Sequence, residues 1–174
     1  MMYEKKAIKI VVDGPHGAGK DEAIRFVQLL LEEMGFGVLV TPELFVRPDP
    51  RCCNIGDPKD EVGFMAAEFL FFSNLIYRSL YIKEKESDYD FILLNRSSRG
   101  LKIYLDRCDN ELIIRIMDMC LNMFRSLILS TEDIVFYLRL DQEENIKRIL
   151  DRFKDFPERK KWKEDDAAYM EAIH

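Results

Sequence analysis

The fold is decided by the stretch Ala7-Ile8-Lys9-Ile10-Val11-Val12-Asp13-Gly14-Pro15-His16-Gly17-Ala18-Gly19-Lys20-Asp21. Its first six residues are mostly apolar and rich in β-branched side chains, which predicts a buried strand that runs into a turn at Asp13-Gly14. From Asp21 onward, apolar residues recur at helical spacing as far as Met34, and Gly35-Phe36-Gly37 supplies a helix stop. The stretch therefore predicts a strand, a glycine-rich turn and a helix in direct succession.

The turn contains Gly14-Pro15-His16-Gly17-Ala18-Gly19-Lys20, which satisfies the glycine–lysine part of the phosphate-loop pattern. The glycines let consecutive backbone N–H groups wrap a phosphate, the helix N-terminus adds a favourable dipole, and Lys20 supplies a positive charge. A preceding strand and a following helix are the context that this pattern requires. We predict that the loop binds the phosphates of a purine nucleoside triphosphate through Gly14, His16, Gly17, Ala18, Gly19, Lys20 and Asp21.

The last position of the pattern, usually Ser or Thr, is occupied by Asp21. As a carboxylate, Asp21 can bind Mg²⁺ more strongly than a hydroxyl group does, which makes it the candidate metal ligand. Alternatively, it repels the β-phosphate and acts only as a helix N-cap, which would give a weak or metal-independent site. The sequence leaves both interpretations open.

Strands and helices continue to alternate through the rest of the chain. Strands are predicted at 38–41, 91–94 and 134–138, and helices at 61–85, 111–129 and within 141–170. This order predicts an α/β protein with a parallel sheet that is covered by helices on both faces. The length of 174 residues, 48% of them hydrophobic, suffices for one core, so we predict a single domain over residues 1–174.

Charge and cysteine content limit the partners and the compartment. The net charge is −6, so the chain lacks the basic face that nucleic acid or anionic membrane requires, and no window approaches a membrane span. Four cysteines show no paired zinc spacing: Cys52, Cys53, Cys108 and Cys120. We expect reduced thiols in a cytoplasmic or nuclear compartment, with a cytoplasmic location preferred, small anionic ligands, and neither nucleic acid nor membrane as a partner.

Polar residues follow the second and third predicted strands, at the sheet edge where ligands of parallel α/β folds gather. Glu43 follows the second strand; a carboxylate there can accept a substrate proton, bind a sugar hydroxyl or hold a metal-bound water. Arg96 follows the third strand and can stabilise the charge on a phosphoryl group in transfer. The alternatives are a solvated loop acid for Glu43 and a surface ion pair for Arg96.

A basic segment lies near the C-terminus of this acidic chain. Between Lys147 and Lys163, eight basic residues accompany three acidic ones. Such a segment is typical of a lid that delivers cations to a transferring group and excludes water. A solvated helix face with scattered charge is the alternative interpretation.

Together, these motifs resemble the thymidylate kinase and deoxynucleoside kinase group of phosphate-loop kinases, over most of the chain. The resemblance rests on Asp13–Lys20 as the phosphate loop, Pro42-Glu43 after the second strand, and Asn95-Arg96-Ser97 after the third. The segment Phe69-Leu70-Phe71-Phe72-Ser73 is similar to the third-helix pattern of the group. Aromatic residues of that helix are otherwise expected to be mostly core.

The resemblance implies a three-layer P-loop kinase fold with a helical lid at about 147–163. It also implies a kinase that uses ATP and Mg²⁺ and transfers the γ-phosphate to a nucleoside monophosphate. A dTMP-like molecule is the preferred acceptor. The implied roles are donor contacts by Lys20 and Arg148, contact with phosphate at the reacting centre by Arg96, lid cations at Arg152 and Arg159, and acceptor contacts by Glu43, Arg47, Phe72 and Arg96.

Several positions depart from the pattern of this group. Asp21 replaces the hydroxyl residue, Asn95 replaces an acidic residue, His16 stands at an often acidic position, and Leu75-Ile76 stands where an arginine is expected, with Arg78 nearby. Two alternatives therefore stay open: a non-catalytic nucleotide-binding relative, and a deoxynucleoside kinase in which Glu43 acts as base. A GTPase is set aside because no Asn-Lys-x-Asp tetrapeptide occurs.

Two further expectations come from the resemblance alone. Relatives form homodimers through long apolar helices, which predicts a homodimer here. Relatives also continue past the position of His174 into a further strand and helix, which leaves open that the sequence is truncated at its C-terminus.

Overall fold

The structure is a computed structural model that describes residues 6–15, 17–42, 45, 61–98, 110–129 and 131–155. Within these ranges the chain forms alternating strands and helices. The strands are β1 (Ile8–Asp13), β2 (Val38–Val40), β3 (Phe91–Asn95) and β4 (Ile134–Tyr137), and the helices are α1 (Lys20–Glu33), α2 (Glu61–Lys85), α3 (Glu111–Leu129) and α4 (Gln142–Asp155).

The four strands form one parallel sheet in the order β2-β3-β1-β4. The register pairs Val12 of β1 with Asn95 of β3, and Asp13 with Tyr137 of β4. The carboxyl ends of the two central strands therefore lie side by side, and the segments that follow them leave the same edge of the sheet. The predicted α/β fold with a parallel sheet is confirmed.

Both faces of β1 and β3 are largely buried, as the mostly apolar sequences of the two strands predict. On one face, Ile10, Val12 and Leu93 pack with Ile24 of α1. On the opposite face, Ala7, Val11, Ile92 and Leu94 pack with Ile82 of α2. This arrangement gives the three layers of the predicted fold, helix on sheet on helix.

Helix α3 packs against α2 rather than against the sheet. Phe72 of α2 lies in a cluster with Ile113, Met117 and Ile128, and its ring meets that of Phe124 edge-on at 5.7 Å between centroids. Only 6% of Phe72 is exposed. The ring therefore joins two helices, and the acceptor-base contact expected for Phe72 is not supported, because hydrophobic packing takes up its surface.

Strand β4 differs from the expectation of a sheet covered on both faces. All four of its residues are exposed, although three of them, Ile134, Val135 and Phe136, are apolar. Strand propensity predicted the element correctly but carries no information about which neighbour covers it.

Among the described helices, none is both long and apolar enough to cross a membrane.

Glu68 of α2 is buried at 3% exposure, and its Oε2 atom has no hydrogen-bond partner in the described part of the chain. Burial raises the pKa of this carboxyl from 4.5 to about 7. The folded protein therefore binds this proton more tightly than the unfolded chain does. The contribution of Glu68 to stability is therefore greatest below about pH 4.5, falls as the pH rises to about 7, and changes little above that value.

We expect Glu68→Gln to remove this loss. At pH 8 the variant should be more stable than the wild type by roughly 1–3 kcal/mol, since the shift is worth at most about 3 kcal/mol. The two proteins should converge near pH 4.5 in urea denaturation. Glu84→Gln, an exposed position on the same helix, is the control and should shift stability little. Equal stabilities of Glu68→Gln and wild type at both pH values would contradict the assignment.

Candidate active site

The phosphate loop connects β1 to α1 as the sequence predicts. Gly19 is the N-cap of α1 in a left-handed conformation, with φ 83° and ψ 27°. Lys20 is buried, and its Nζ donates hydrogen bonds to the carbonyl oxygens of Gly14 at 3.0 Å and Pro15 at 2.6 Å. The ammonium group is therefore fixed against the loop backbone, next to the positive end of the helix.

The glycines of the loop allow close approach of two other segments. A Cβ atom on Gly14 would lie 2.6 Å from the carbonyl oxygen of Leu138, just after β4. A Cβ on Gly17 would lie 2.7 Å from Oδ1 of Asn145 and 3.0 Å from Cγ1 of Ile149, both on α4. The loop is thus packed against the end of β4 on one side and the first turns of α4 on the other.

Asp21 and Asn95, two departures from the kinase pattern, contact each other. Asn95 Nδ2 donates a hydrogen bond to Asp21 Oδ1 at 2.6 Å, which joins the first turn of α1 to the end of β3. The N-cap residue of α1 is Gly19, and no side chain caps the helix there. Asp21 lies in the first turn that follows. The N-cap interpretation of Asp21 is therefore wrong, because the cap position precedes it by two residues.

Asp13 ties the start of the phosphate loop to the segment after β3. Its buried carboxylate accepts the N–H of Gly14 through Oδ1 at 2.8 Å, and the N–H of Ser97 through Oδ2 at 3.2 Å. Ser97 Oγ donates a further short hydrogen bond to the same Oδ2 atom. A buried carboxylate needs such donors, so both segments are held in a fixed relation to β1.

Arg96 occupies an unusual backbone conformation with φ 68°, the single non-glycine residue with positive φ in the described ranges. Such a conformation persists only where the surroundings determine it. Part of these surroundings is Arg78 of α2, which is only 2% exposed. Its Nη1 donates hydrogen bonds to the carbonyl oxygens of Asn95 at 3.1 Å and Arg96 at 2.9 Å. Arg78 therefore binds the backbone of the candidate site directly.

Glu132, just before β4, completes this arrangement. It lies 3.8 Å from Arg78 Nη2, and its carboxylate accepts the N–H of Ser98 at 2.6 Å and the Ser98 hydroxyl at 3.2 Å. Burial raises the pKa of Glu132, while the Ser98 hydrogen bonds and the charge of Arg78 lower it. Burial prevails, so the pKa lies above its usual value.

Helix α4 carries the described part of the predicted basic lid. Arg152 lies seven residues beyond Asn145 and three beyond Ile149, which places it on the side of α4 that faces the phosphate loop. Arg148 lies at an exposed position, and its Nε donates to Oε1 of Glu144 at 2.8 Å. The two arginines of α4 are thus placed differently with respect to the loop.

Several predicted site residues fall outside the described ranges. They are His16, Glu43, Arg47 and Arg159, together with the end of the lid after residue 155. The strand edge that leads to Glu43 is described as far as Pro42; Thr41 is buried there and donates its N–H to the Leu93 carbonyl oxygen at 3.0 Å.

The sequence patterns predicted no specific role for Asp13, Arg78, Ser98, Glu132 or Asn145, beyond the place of Asp13 at the start of the phosphate loop and of Arg78 near an expected arginine. One signal was present: Asp13 ends an apolar strand, and a charged residue at the carboxyl end of a buried parallel strand indicates a site. The partners of the other four residues are 17 or more positions away in sequence, or depend on helix packing. Neither periodicity nor a local motif reveals such contacts.

Comparisons with known proteins agree with this geometry at the level of the fold. No protein-family model matches the chain, and no curated protein sequence matches it. Among solved structures, deoxyadenosine kinase from M. mycoides with bound dATP is similar at a TM-score of 0.56 and 17% identity, covering 95% of this chain and 80% of that one. Thymidylate kinase from Ehrlichia chaffeensis is similar at a TM-score of 0.54 and 17% identity, covering 88% and 87%.

The sheet order and the strand–loop–helix unit define an α/β protein of the phosphate-loop class. Within that class, the chain has the fold of the nucleoside and nucleotide kinases. The resemblance inferred from the motifs is confirmed at this level.

The contact between the phosphate loop and α4 can be tested by a pair of glycine substitutions. Gly17 and Gly19 have nearly equal φ values of 79° and 83°, but a Cβ on Gly19 would meet nothing closer than Glu22 Oε2 at 3.7 Å. Gly19→Ala should therefore show only the left-handed strain of roughly 1–2 kcal/mol. Gly17→Ala should lose roughly 1–3 kcal/mol more through overpacking against α4. Urea denaturation measures both, and equal losses would show that α4 does not press on the loop.

Proposed function

We propose that the protein is a kinase that transfers the γ-phosphate of ATP to a nucleoside monophosphate. A dTMP-like molecule is the preferred candidate for the acceptor. The observation that carries this proposal is the double connection between the phosphate loop and the segment after β3. Asp13 binds both Gly14 and Ser97, and Asp21 of α1 binds Asn95. A phosphate-binding loop and a cationic segment held together in this way suit the positioning and charge stabilisation of phosphoryl transfer.

Each cation has a distinct role in this proposal. The loop N–H groups and Lys20 bind the donor phosphates, and Arg96 contacts phosphate at the reacting centre. Arg152, on the loop-facing side of α4, and Arg159 act as lid cations, and Arg148 contacts the donor nucleotide. Glu43 and Arg47 bind the acceptor.

The donor set at Asp21 fits a magnesium ion that accompanies a nucleotide. Mg²⁺ in such sites is usually held by one or two carboxylates together with substrate phosphates, and Asp21 provides one carboxylate in the first turn of α1, next to Lys20. The Asn95 amide orients this carboxylate through Oδ1. When bound, Mg²⁺ would neutralise part of the developing charge on the phosphates.

Two alternatives follow from particular residues. A deoxynucleoside kinase would use Glu43 as the base toward a sugar hydroxyl. The structural similarity to deoxyadenosine kinase favours this alternative as much as the similarity to thymidylate kinase favours a nucleoside monophosphate as acceptor. A binding-only relative would follow if Asp21 repelled the β-phosphate. A single domain over residues 1–174, a homodimer, a cytoplasmic location and the absence of nucleic-acid partners remain predictions.

The assay that tests the proposal measures ADP release from ATP and Mg²⁺ against a panel of nucleosides and nucleoside monophosphates. We expect acceptor-dependent turnover, and loss of roughly 100-fold or more in Lys20→Ala, because the ammonium group supplies charge at the phosphates. Lys83→Ala, an exposed lysine of α2, is the control and should keep full activity. Nucleotide binding without turnover toward any acceptor would instead favour the binding-only relative.

The metal role of Asp21 has its own readout. We expect Asp21→Asn to weaken binding of Mn²⁺ to the protein–ADP complex by about 10-fold or more, measured by electron paramagnetic resonance without turnover. The control is Glu22→Gln, the exposed neighbouring carboxylate of the same helical turn. Unchanged or tighter Mn²⁺ binding in Asp21→Asn would show that this carboxylate opposes the phosphates rather than holding the metal.

A further inference from the structure

Three consecutive residues after β3 are each held by a buried charged side chain from a different part of the fold. The carbonyl oxygen of Arg96 accepts from Arg78, Ser97 donates to Asp13, and Ser98 donates to Glu132. These partners come from α2, β1 and the segment before β4. Such convergence is more than the end of a strand needs, because backbone groups there can bond to water.

The centre of this arrangement is the positive-φ conformation of Arg96. Its N–H donates to the Val12 carbonyl oxygen at 3.0 Å, which continues the sheet ladder. Arg78 then binds the carbonyl oxygens on both sides of the Arg96 α-carbon through one guanidinium nitrogen. A charged donor shared by two successive carbonyl groups restricts the φ and ψ angles between them and stabilises a conformation that is otherwise unfavourable.

We propose that Arg78 is a positioning residue for phosphoryl transfer: with Glu132, it fixes the backbone of Arg96 so that the Arg96 guanidinium leaves the sheet edge in one direction. This inference rests on the proposed function, because the role of Arg96 in transfer belongs to that proposal. In this proposal, the contacts of Arg78 that matter are those with the carbonyl oxygens of Asn95 and Arg96. Arg78 acts on the reaction only through Arg96.

The geometry also explains why an arginine, and not a lysine, suits this position on α2. The guanidinium has several N–H groups in a rigid fork, so Nη1 can bind the two carbonyl oxygens while Nη2 faces Glu132 at 3.8 Å. A lysine ammonium is a single point charge and cannot keep that geometry toward both partners. Glu132, in turn, balances the buried charge of Arg78 and binds Ser98, two residues beyond Arg96.

The experiment compares Arg78→Met, Arg78→Lys and the control Ile82→Ala, in the full chain, each alone and combined with Arg96→Ala. Ile82 lies one turn along α2 in the core with β1 and β3, so its truncation weakens the packing of α2 without removing a contact to residues 95–98. Amide hydrogen exchange at Arg96, Ser97 and Ser98 is measured in every variant. Turnover is measured with the acceptor found in the panel.

We expect Arg78→Met to lower kcat by roughly 100-fold and to change the KM for MgATP by no more than about twofold, since misplacement of a group at the reacting centre affects the transition state. Arg78→Lys should be intermediate. In the Arg96→Ala background, Arg78→Met should lower kcat no further. Exchange at residues 96–98 should accelerate by about tenfold or more in Arg78→Met, beyond the change in Ile82→Ala.

The outcomes separate the two proposals. Additive losses in Arg78→Met and Arg96→Ala would overturn the positioning role, and so would exchange at 96–98 that matches Ile82→Ala. If exchange accelerates as expected but the wild type transfers phosphate to no acceptor, the proposed function fails. In that case, Arg78 still fixes the backbone, but the reaction assigned to it is overturned as well.

Discussion

The hydrogen bonds of the Asp13 carboxylate are the interaction on which the rest of the candidate site depends. Asp13 ends β1, one of the two central strands of the sheet. Its two carboxylate oxygen atoms accept hydrogen bonds from Gly14, at the start of the phosphate loop, and from Ser97, the second residue after β3. A buried carboxylate without donors would be strongly unfavourable, so the loop and the β3 segment must approach it together. Because the Asp13 side chain is short, both segments are held within hydrogen-bond distance of the same carboxylate.

A second connection between the same segments passes through Asp21 and Asn95. The Asn95 amide donates a hydrogen bond to the Asp21 carboxylate at 2.6 Å, whereas a second carboxylate at residue 95 would repel it. One charged member and one neutral member are thus electrostatically compatible. The two departures from the kinase pattern therefore belong together in the fold, and they are not two independent losses of a polar contact.

Much of this could be read from the sequence because the information is local. Helix α2 has the predicted bounds of Glu61–Lys85, and the phosphate loop lies between the predicted strand and helix. The placing of Arg96 at the sheet edge followed from the rule that parallel strands share a carboxyl edge. The positive φ of Arg96, the binding of its carbonyl group by Arg78 and the exposure of β4 were not predictable, because each depends on how distant elements pack.

Two buried ionisable residues on α2, Arg78 and Glu68, show how their contacts decide their effect. Arg78 has backbone carbonyl oxygens and Glu132 as partners, whereas Glu68 lies three turns earlier with a raised pKa and an Oε2 atom that finds no partner in the described ranges. Glu68 and Arg78 are both nearly fully buried, at 3% and 2% exposure. Burial alone therefore does not distinguish a positioning group from a destabilising one. Contacts do: a buried charge that satisfies strained backbone groups adds rigidity where the chain needs it, and one without such contacts only weakens the fold. By this criterion, the functional end of α2 is the one that carries Arg78, at the carboxyl edge of β3.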